Sequence, residues 1–123
     1  MRDFREIKVW EKAHALTLRA YEVTRSFPRE ELYGSTSQIR RAAAASIGAN
    51  IAEGCVKNTD PDFARYLQTA LGSASELEYH LLLAKDLKLL DSARYSELDE
   101  DAKEVKKMLT AFIAKLRSRA AGA

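Results

Sequence analysis

Residues 60–85, DPDFARYLQTALGSASELEYHLLLAK, decide the fold of this chain. Their apolar side chains recur every three or four positions, as on one face of an α-helix, and do not alternate as they would in a strand. Asp60 can cap this helix, and Pro61 suits its first position. Thr59 with Asp62 resembles a capping box. The stretch predicts one long amphipathic helix, whose core-facing residues are Phe63, Leu67, Ala70, Ala74, Leu77, Leu81 and Ala84.

The same spacing occurs on both sides of this stretch and predicts three further helices. The four helices are expected at about residues 8–26, 35–57, 60–88 and 92–118. The predicted core face of the first helix is Val9, Ala13, Leu16, Ala20, Val23 and Phe27. That of the second helix is Ile39, Ala42, Ala43, Ser46, Ile47, Asn50, Ile51 and Gly54. That of the fourth helix is Tyr95, Leu98, Ala102, Val105, Leu109, Phe112 and Leu116.

The boundaries between these helices are short. Phe27-Pro28 ends the first helix, because a residue before proline avoids the helical region, and Asp91 or Ser92 is expected to cap the fourth. Short connectors favour antiparallel neighbours. The sequence therefore predicts an all-α, antiparallel up-and-down four-helix bundle, with a single domain over residues 1–119 and a flexible tail at 120–123. Gly48, in the middle of the second helix, predicts a close helix crossing or a kink.

Composition and cysteine content narrow the class of protein. The 123 residues are 46% hydrophobic and 31% charged, with five glycines and two prolines, as in a helix-rich single domain. No apolar run approaches the roughly 20 residues of a membrane span, and the first ten residues carry charges where a signal peptide is apolar. A cytoplasmic protein without membrane partners is expected. Cys55, the single cysteine, is predicted to be a buried small residue.

No pattern for catalysis is recognisable. A carboxylate-bridged metal pair in a bundle needs Glu-x-x-His on two helices, and this chain has one such pair, Glu11 with His14. Phosphate-binding glycine loops and Ser/His/Asp or Cys/His nucleophile motifs are missing. We therefore expect no enzymatic activity, no metal and no cofactor.

Two sets of side chains are candidates for surface contacts. Aromatic residues that lie off the core faces predict self-association, although such residues are usually part of the core: Trp10, Tyr21, Tyr66 and Tyr79. Basic residues that cluster on the second and fourth helices are candidates for phosphate contacts: Arg40, Arg41, Lys103, Lys106, Lys107, Lys115 and Arg117. Alternatively, the charges of the fourth helix form a solvated face that matches the helix dipole. The net charge of +2 does not decide between phosphate contacts and a solvated face.

Several motifs together are similar to those of a known family. They are DFR (3–5), VW (9–10), RSFP (25–28), QIRRAA (38–43), SIGANIAEG (46–54) and LGSASELE (71–78). The chain resembles the four-helix bundle proteins encoded in intervening sequences of bacterial 23S rRNA genes, which are related to the accessory variability determinants of diversity-generating retroelements. The resemblance covers residues 2–90, and the fourth helix more loosely. Gly48 stands where members of the family commonly have proline.

The resemblance implies a homopentameric ring with no established enzymatic activity, and its retroelement relatives bind nucleic acid. At matching positions the signature residues are Arg40, Arg41, Asn50, Glu53 and Gly54. The structural interpretation of Asn50 and Glu53 is that they form a buried hydrogen-bonded pair that fixes the helix register. The leading hypothesis is a homo-oligomeric protein that binds RNA, and the alternative is a protein-interaction adaptor without nucleic-acid binding.

Overall fold

The computed structural model describes residues 2–122, apart from the side chains of residues 44 and 45. Four helices make up the bundle: α1 (Lys8–Thr24), α2 (residues 37–55), α3 (Asp60–Asp86) and α4 (Ser92–Gly122). The described residues contain no strand. Each helix packs antiparallel to the next, and α4 returns to α1, where Arg19 Nη1 lies 2.6 Å from Asp101 Oδ2. The predicted all-α four-helix bundle is confirmed.

Short helical turns precede α1 and α2. A 3₁₀ turn occupies Phe4–Glu6, and a second occupies Arg29–Glu31 between α1 and α2. A wider π-type turn follows at Leu32–Thr36, in which Gly34 leaves the helical conformation (φ −109°, ψ −115°). The turns at Arg29–Glu31 and Leu32–Thr36 set the path by which the chain enters α2.

The second helix is less regular than the sequence predicts. It consists of the α-helical segments Ser37–Arg40 and Ala49–Cys55, joined by a π-helical segment, Arg41–Gly48. The Thr17 hydroxyl of α1 lies 3.1 Å from the Ala43 carbonyl oxygen of this segment. A side chain that inserts into the backbone ladder is a known cause of such irregularity. Gly48 itself keeps helical angles (φ −63°, ψ −41°) and lies against Trp10.

The fourth helix extends beyond its expected end near residue 118, through Gly122. Residues 120–122, which were expected to form part of a flexible tail, are therefore helical; residue 123 lies outside the described residues. Ala120 and Ala121 explain the extension, because alanine has the highest helix propensity. None of the helices in residues 2–122 is long and apolar enough to cross a membrane.

One hydrophobic core runs between the four helices. All seven predicted residues of α3 are buried, as are most of those predicted on the other helices. Val23, Ser46, Asn50, Tyr95 and Phe112 are half-buried instead. Ile113, next to Phe112, is one further buried core residue of α4. The predicted burial of Cys55 is confirmed, and burial raises the pKa of its thiol.

The helix starts follow the predicted capping in part. Thr59 caps α3, since its hydroxyl accepts a hydrogen bond from the Asp62 amide at 3.3 Å. Asp91 Oδ1 accepts from the Arg94 amide at 2.8 Å and so caps α4. Asp60 is not the cap. Its carboxylate instead accepts two hydrogen bonds of 2.9 Å from Arg119 and one of 3.3 Å from Arg2, which ties both ends of the chain to α3.

This ion-pair cluster predicts an acid-sensitive contribution to stability. The hydrogen bond from Arg119 holds the pKa of Asp60 below its usual 3.8. A carboxylate with a depressed pKa stabilises the folded state above its unfolded pKa, and the contribution is lost as pH falls through the folded value. We expect Asp60→Asn to flatten the decline in the urea midpoint between about pH 5 and about pH 2. Parallel wild-type and variant curves would contradict this role for Asp60.

Candidate nucleic-acid interface

The structure places five of the seven predicted basic residues on two separate surfaces. One is formed by two adjoining grooves of about 370 and 320 Å³, where α1 ends and α2 begins. The grooves share Leu32, Thr36 and Arg40. We call this surface the arginine groove, and its arginine and tyrosine side chains are Arg25, Arg29, Arg40, Arg41, Tyr21 and Tyr33. None of the residues that line it is acidic, so all the charged side chains of its lining are arginines.

Arg40 is held in place by α1. Its Nε donates a hydrogen bond of 2.9 Å to the hydroxyl of Thr24, which is itself buried. The guanidinium carbon lies 4.9 Å from the centre of the Tyr21 ring, within the range of a cation–π contact. In the described part of the chain, no carboxylate forms an ion pair with Arg40. Arg40 is thus held through Nε and through the contact of its guanidinium with the Tyr21 ring. Its two terminal nitrogens remain available for a ligand oxygen.

The other three arginines of the groove are exposed. Arg41 Nη2 lies 3.4 Å from the Ser37 hydroxyl, a weak contact within one helix turn. Among residues 2–122, neither Arg25, Arg29 nor Arg41 is within ion-pair distance of a carboxylate. Sequence reasoning missed Arg25 and Arg29 because they lie at the end of α1 and in the connector after it, apart from the basic clusters on the second and fourth helices. The RSFP motif already contained Arg25, but the motif did not indicate its neighbours in space.

The second surface is an open groove of about 580 Å³ between α3 and α4. It is lined by Glu78, Lys103, Lys106, Lys107, Thr110, Ala111 and Ala114, and we call it the lysine groove. Lys106 Nζ lies 2.6 Å from Glu78 Oε1, a buried oxygen that makes no well-directed hydrogen bond. The contact is therefore an ion pair, and it compensates the buried charge of Glu78.

Lys103 is also neutralised in place. Its Nζ donates a hydrogen bond of 2.6 Å to Asp99 Oδ2, which raises the pKa of Lys103. Of the three lysines that line the lysine groove, Lys107 has no carboxylate partner in the described chain. Lys115 and Arg117 are exposed on α4 but do not line the groove. The predicted bases of α4 thus form a partly neutralised surface, in contrast to the arginine groove.

The aromatic candidates for self-association differ in how far the subunit itself covers them. Trp10 is half-buried: its ring stacks on His14 at 4.9 Å and meets Phe4 edge-on at 4.9 Å. Tyr66 is half-buried beside the cations of Lys57 and Arg65. Tyr79, on the outer side of α3, is 58% exposed. Tyr79 is therefore the candidate with the most area left for another chain, since Tyr21 lies under Arg40.

The signature residues of α2 have separate roles. Asn50 Nδ2 donates a hydrogen bond of 2.6 Å to the Ser46 carbonyl. Glu53 is exposed, and the expected pair between Asn50 and Glu53 is not among the contacts of residues 2–122. Gly54 is buried where α2 meets α3, and a Cβ atom at this position would lie 2.7 Å from Phe63 Cδ1. Gly54 therefore permits a close approach of the two helices.

The histidines lie apart from any cluster of metal ligands. His14 stacks on Trp10, and His80 Nε2 lies 3.7 Å from Glu76 Oε1 one turn away on α3. Across residues 2–122, no group of three or more histidine, cysteine, aspartate or glutamate side chains is arranged to hold a metal ion.

Comparison with known proteins identifies the family. The model of the 23S rRNA-intervening sequence protein family matches residues 5–111. Among solved structures, the chain is similar to a protein of unknown function from the S23 ribosomal protein family of Bacteroides thetaiotaomicron, with 29% identity and a TM-score of 0.76. That match covers 85% of this chain and 97% of the other. A search of the curated proteins finds no match. The resemblance seen in the sequence is confirmed: the chain belongs to the family of 23S rRNA-intervening sequence proteins.

Proposed function

We propose that this protein is a non-enzymatic bundle that assembles with itself, as a pentamer, and binds RNA at the arginine groove. The observation that supports RNA binding is the groove's lining of four arginines and no acidic residue. Arginine forms paired, charge-assisted hydrogen bonds with phosphate oxygens, and it does so best where no carboxylate competes. The lysine groove is the weaker candidate, because Glu78 and Asp99 already hold two of its cations.

Assembly would strengthen this binding. The pentamer is the state that the family resemblance implies, and the exposed Tyr79 and Leu82 on α3 offer apolar area for a subunit contact. A chain of net charge +2 is a weak electrostatic attractor on its own. Several arginine grooves on one assembly could engage the same RNA strand, so that each bound segment raises the effective concentration of the next.

Arg41→Gln, with Lys107→Gln as its matched control, tests the site. Both residues are exposed bases without an ion pair in the described chain, and both substitutions remove one positive charge. We expect Arg41→Gln to weaken RNA binding and to reduce the slope of log K against log salt by about 0.7, the value for one phosphate contact on a single strand. Lys107→Gln should leave both quantities near those of the wild type. Equal losses from the two variants would show that overall charge matters and the groove does not.

Arg40→Gln is expected to act differently from Arg41→Gln. It removes the hydrogen bond to Thr24 and the contact with the Tyr21 ring. Each such interaction contributes about 1 kcal/mol, so the free energy of unfolding should fall by about 1–2 kcal/mol. Arg41→Gln should leave it within about 0.5 kcal/mol, as is usual for surface substitutions. Urea unfolding of the two variants measures this, and equal stabilities would contradict the structural role of Arg40.

The adaptor function remains a second candidate because of Tyr79 and Leu82, which are 58% and 39% exposed on α3. A protein partner docked on this apolar area would bind with little salt dependence, whereas phosphate contacts weaken steeply as salt rises. Replacing Tyr79 would then abolish partner binding and leave the mass of the assembly unchanged. Loss of the pentamer in the same variant would instead assign Tyr79 to the contact between subunits.

A further inference from the structure

We propose that Tyr33 stacks on an unpaired base, so that the ligand of the arginine groove is single-stranded RNA. The inference rests on the proposed function and adds which form of RNA the groove selects. Tyr33 is 91% exposed, more than any other large hydrophobic residue in the described chain. It lines the same groove as Arg40 and Arg41. Nearly the whole ring is available to a ligand that also reaches these guanidinium groups.

The turn that bears Tyr33 is held by defined hydrogen bonds. The Glu31 amide donates to the Pro28 carbonyl at 2.9 Å, and the Glu31 side chain accepts from the Ser35 amide at 3.3 Å. Gly34 departs from helical angles between Tyr33 and α2, which separates the tyrosine from the regular part of the helix. The ring is thus presented on an anchored turn and is not covered by the core.

The other tyrosine of the groove has less of its ring available to a ligand. Tyr21 also lines the groove, but one face of its ring is occupied by the Arg40 guanidinium at 4.9 Å. Tyr33 has no aromatic or cation contact in the described chain. One groove therefore offers one free ring, which corresponds to one stacked base per subunit.

The chemistry of the groove distinguishes single strands from duplexes. Bases in an A-form helix are stacked on each other, and its major groove is too deep and narrow for side chains to enter. An aromatic ring beside cations is how proteins hold single strands: bases stack on the ring and phosphates lie along the basic groove. The absence of acidic residues from the lining favours a polyanion over a protein surface of mixed charge.

Tyr33→Ala and Tyr33→Phe separate stacking from the other roles of this side chain. Anisotropy would measure binding of a short single-stranded RNA and of a duplex RNA of the same length to the full chain. We expect Tyr33→Ala to weaken single-strand binding by about 10-fold, within the range for loss of one stacked base. Tyr33→Phe keeps the ring and should bind as the wild type does. Neither substitution should change duplex binding or the salt dependence, because Tyr33 neutralises no phosphate.

Three outcomes would overturn the inference, and they have different consequences for the proposed function. Unchanged single-strand binding by Tyr33→Ala, with weakened binding by Arg41→Gln, would remove the stacking role and keep the arginine groove as the RNA site. A smaller mass of Tyr33→Ala in light scattering would show that Tyr33 is a subunit contact. Wild-type protein that binds neither RNA at low salt would refute the proposed function together with this inference.

Discussion

Replacing Phe63 by alanine should lower the free energy of unfolding by about 4 kcal/mol. Phe63 is among the largest completely buried side chains of the bundle. It packs edge-on against Phe112 of α4, with ring centres 5.3 Å apart, and the Arg2 guanidinium lies 4.6 Å from its ring centre. Gly54 of α2 also packs against this ring, since a Cβ atom there would lie 2.7 Å from Phe63 Cδ1. Because elements from three directions meet at this ring, its removal leaves a cavity that cannot collapse easily.

Urea unfolding at neutral pH, without RNA, measures this change, and Tyr33→Ala is its matched control. Tyr33 is also an aromatic residue, but it is 91% exposed and lies outside the core. Its replacement should change stability by no more than about 0.5 kcal/mol, as for other surface positions. A domain of this size has a total stability of about 5–15 kcal/mol, so Phe63→Ala could leave little folded protein at 37 °C. Equal effects of the two substitutions would contradict the packing described for α3.

Alanine at two glycines of α2 should change stability in opposite directions. A Cβ atom at Gly54 would lie 2.7 Å from Phe63 Cδ1 and 3.0 Å from Tyr66 Cβ, so the helices must move apart. At Gly48 the nearest atom, Trp10 Nε1, would be 3.5 Å away, an ordinary contact distance. Alanine stabilises a helix interior by about 1 kcal/mol relative to glycine, a gain that applies to Gly48, whereas Gly54, one residue before the end of α2, gains less. Overpacking at Gly54 costs about 1–3 kcal/mol against this gain.

We therefore expect Gly48→Ala to raise the free energy of unfolding by about 1 kcal/mol and Gly54→Ala to lower it by a similar amount. The difference of about 2 kcal/mol exceeds the gain from helix propensity at either position, so overpacking at Gly54 accounts for the opposite sign. Gly72→Ala, at a position of α3 where the added Cβ meets nothing within 4 Å apart from the backbone of its own helix and its chain neighbours, gives the reference gain. A stabilised Gly54→Ala variant would mean that α2 and α3 lie farther apart than described.

Much of the fold could be predicted because the periodicity of apolar residues reports burial directly. The face of α3 from Phe63 to Ala84 is buried throughout, and Gly54, on the predicted core face of α2, lies where α2 and α3 approach closely. The π-helical segment of α2 could not be predicted, because it coincides with a contact from Thr17 on another helix. Phe112 was predicted on the core face of α4, but Ile113 is more deeply buried, since both fit the helical spacing and only their neighbours decide between them.

The candidate site was harder to predict than the fold. Arg40 and Arg41 are adjacent in sequence, but only the path of the turns at 29–36 brings Arg25, Arg29 and Tyr33 to the same groove. On α4 the sequence shows a row of lysines. It does not show that Glu78, on another helix, meets Lys106. Charge patterns along one chain therefore indicated where bases lie, but not which of them remain free to bind an anion.

The most direct test of the account is the affinity of the wild-type protein for a short single-stranded RNA as a function of salt concentration. If the four arginines of one groove each neutralise a phosphate, log K should fall with log salt with a slope of about −3, since each contact on a single strand contributes about 0.7. A slope near zero, or no binding at low salt, would contradict RNA binding at the arginine groove.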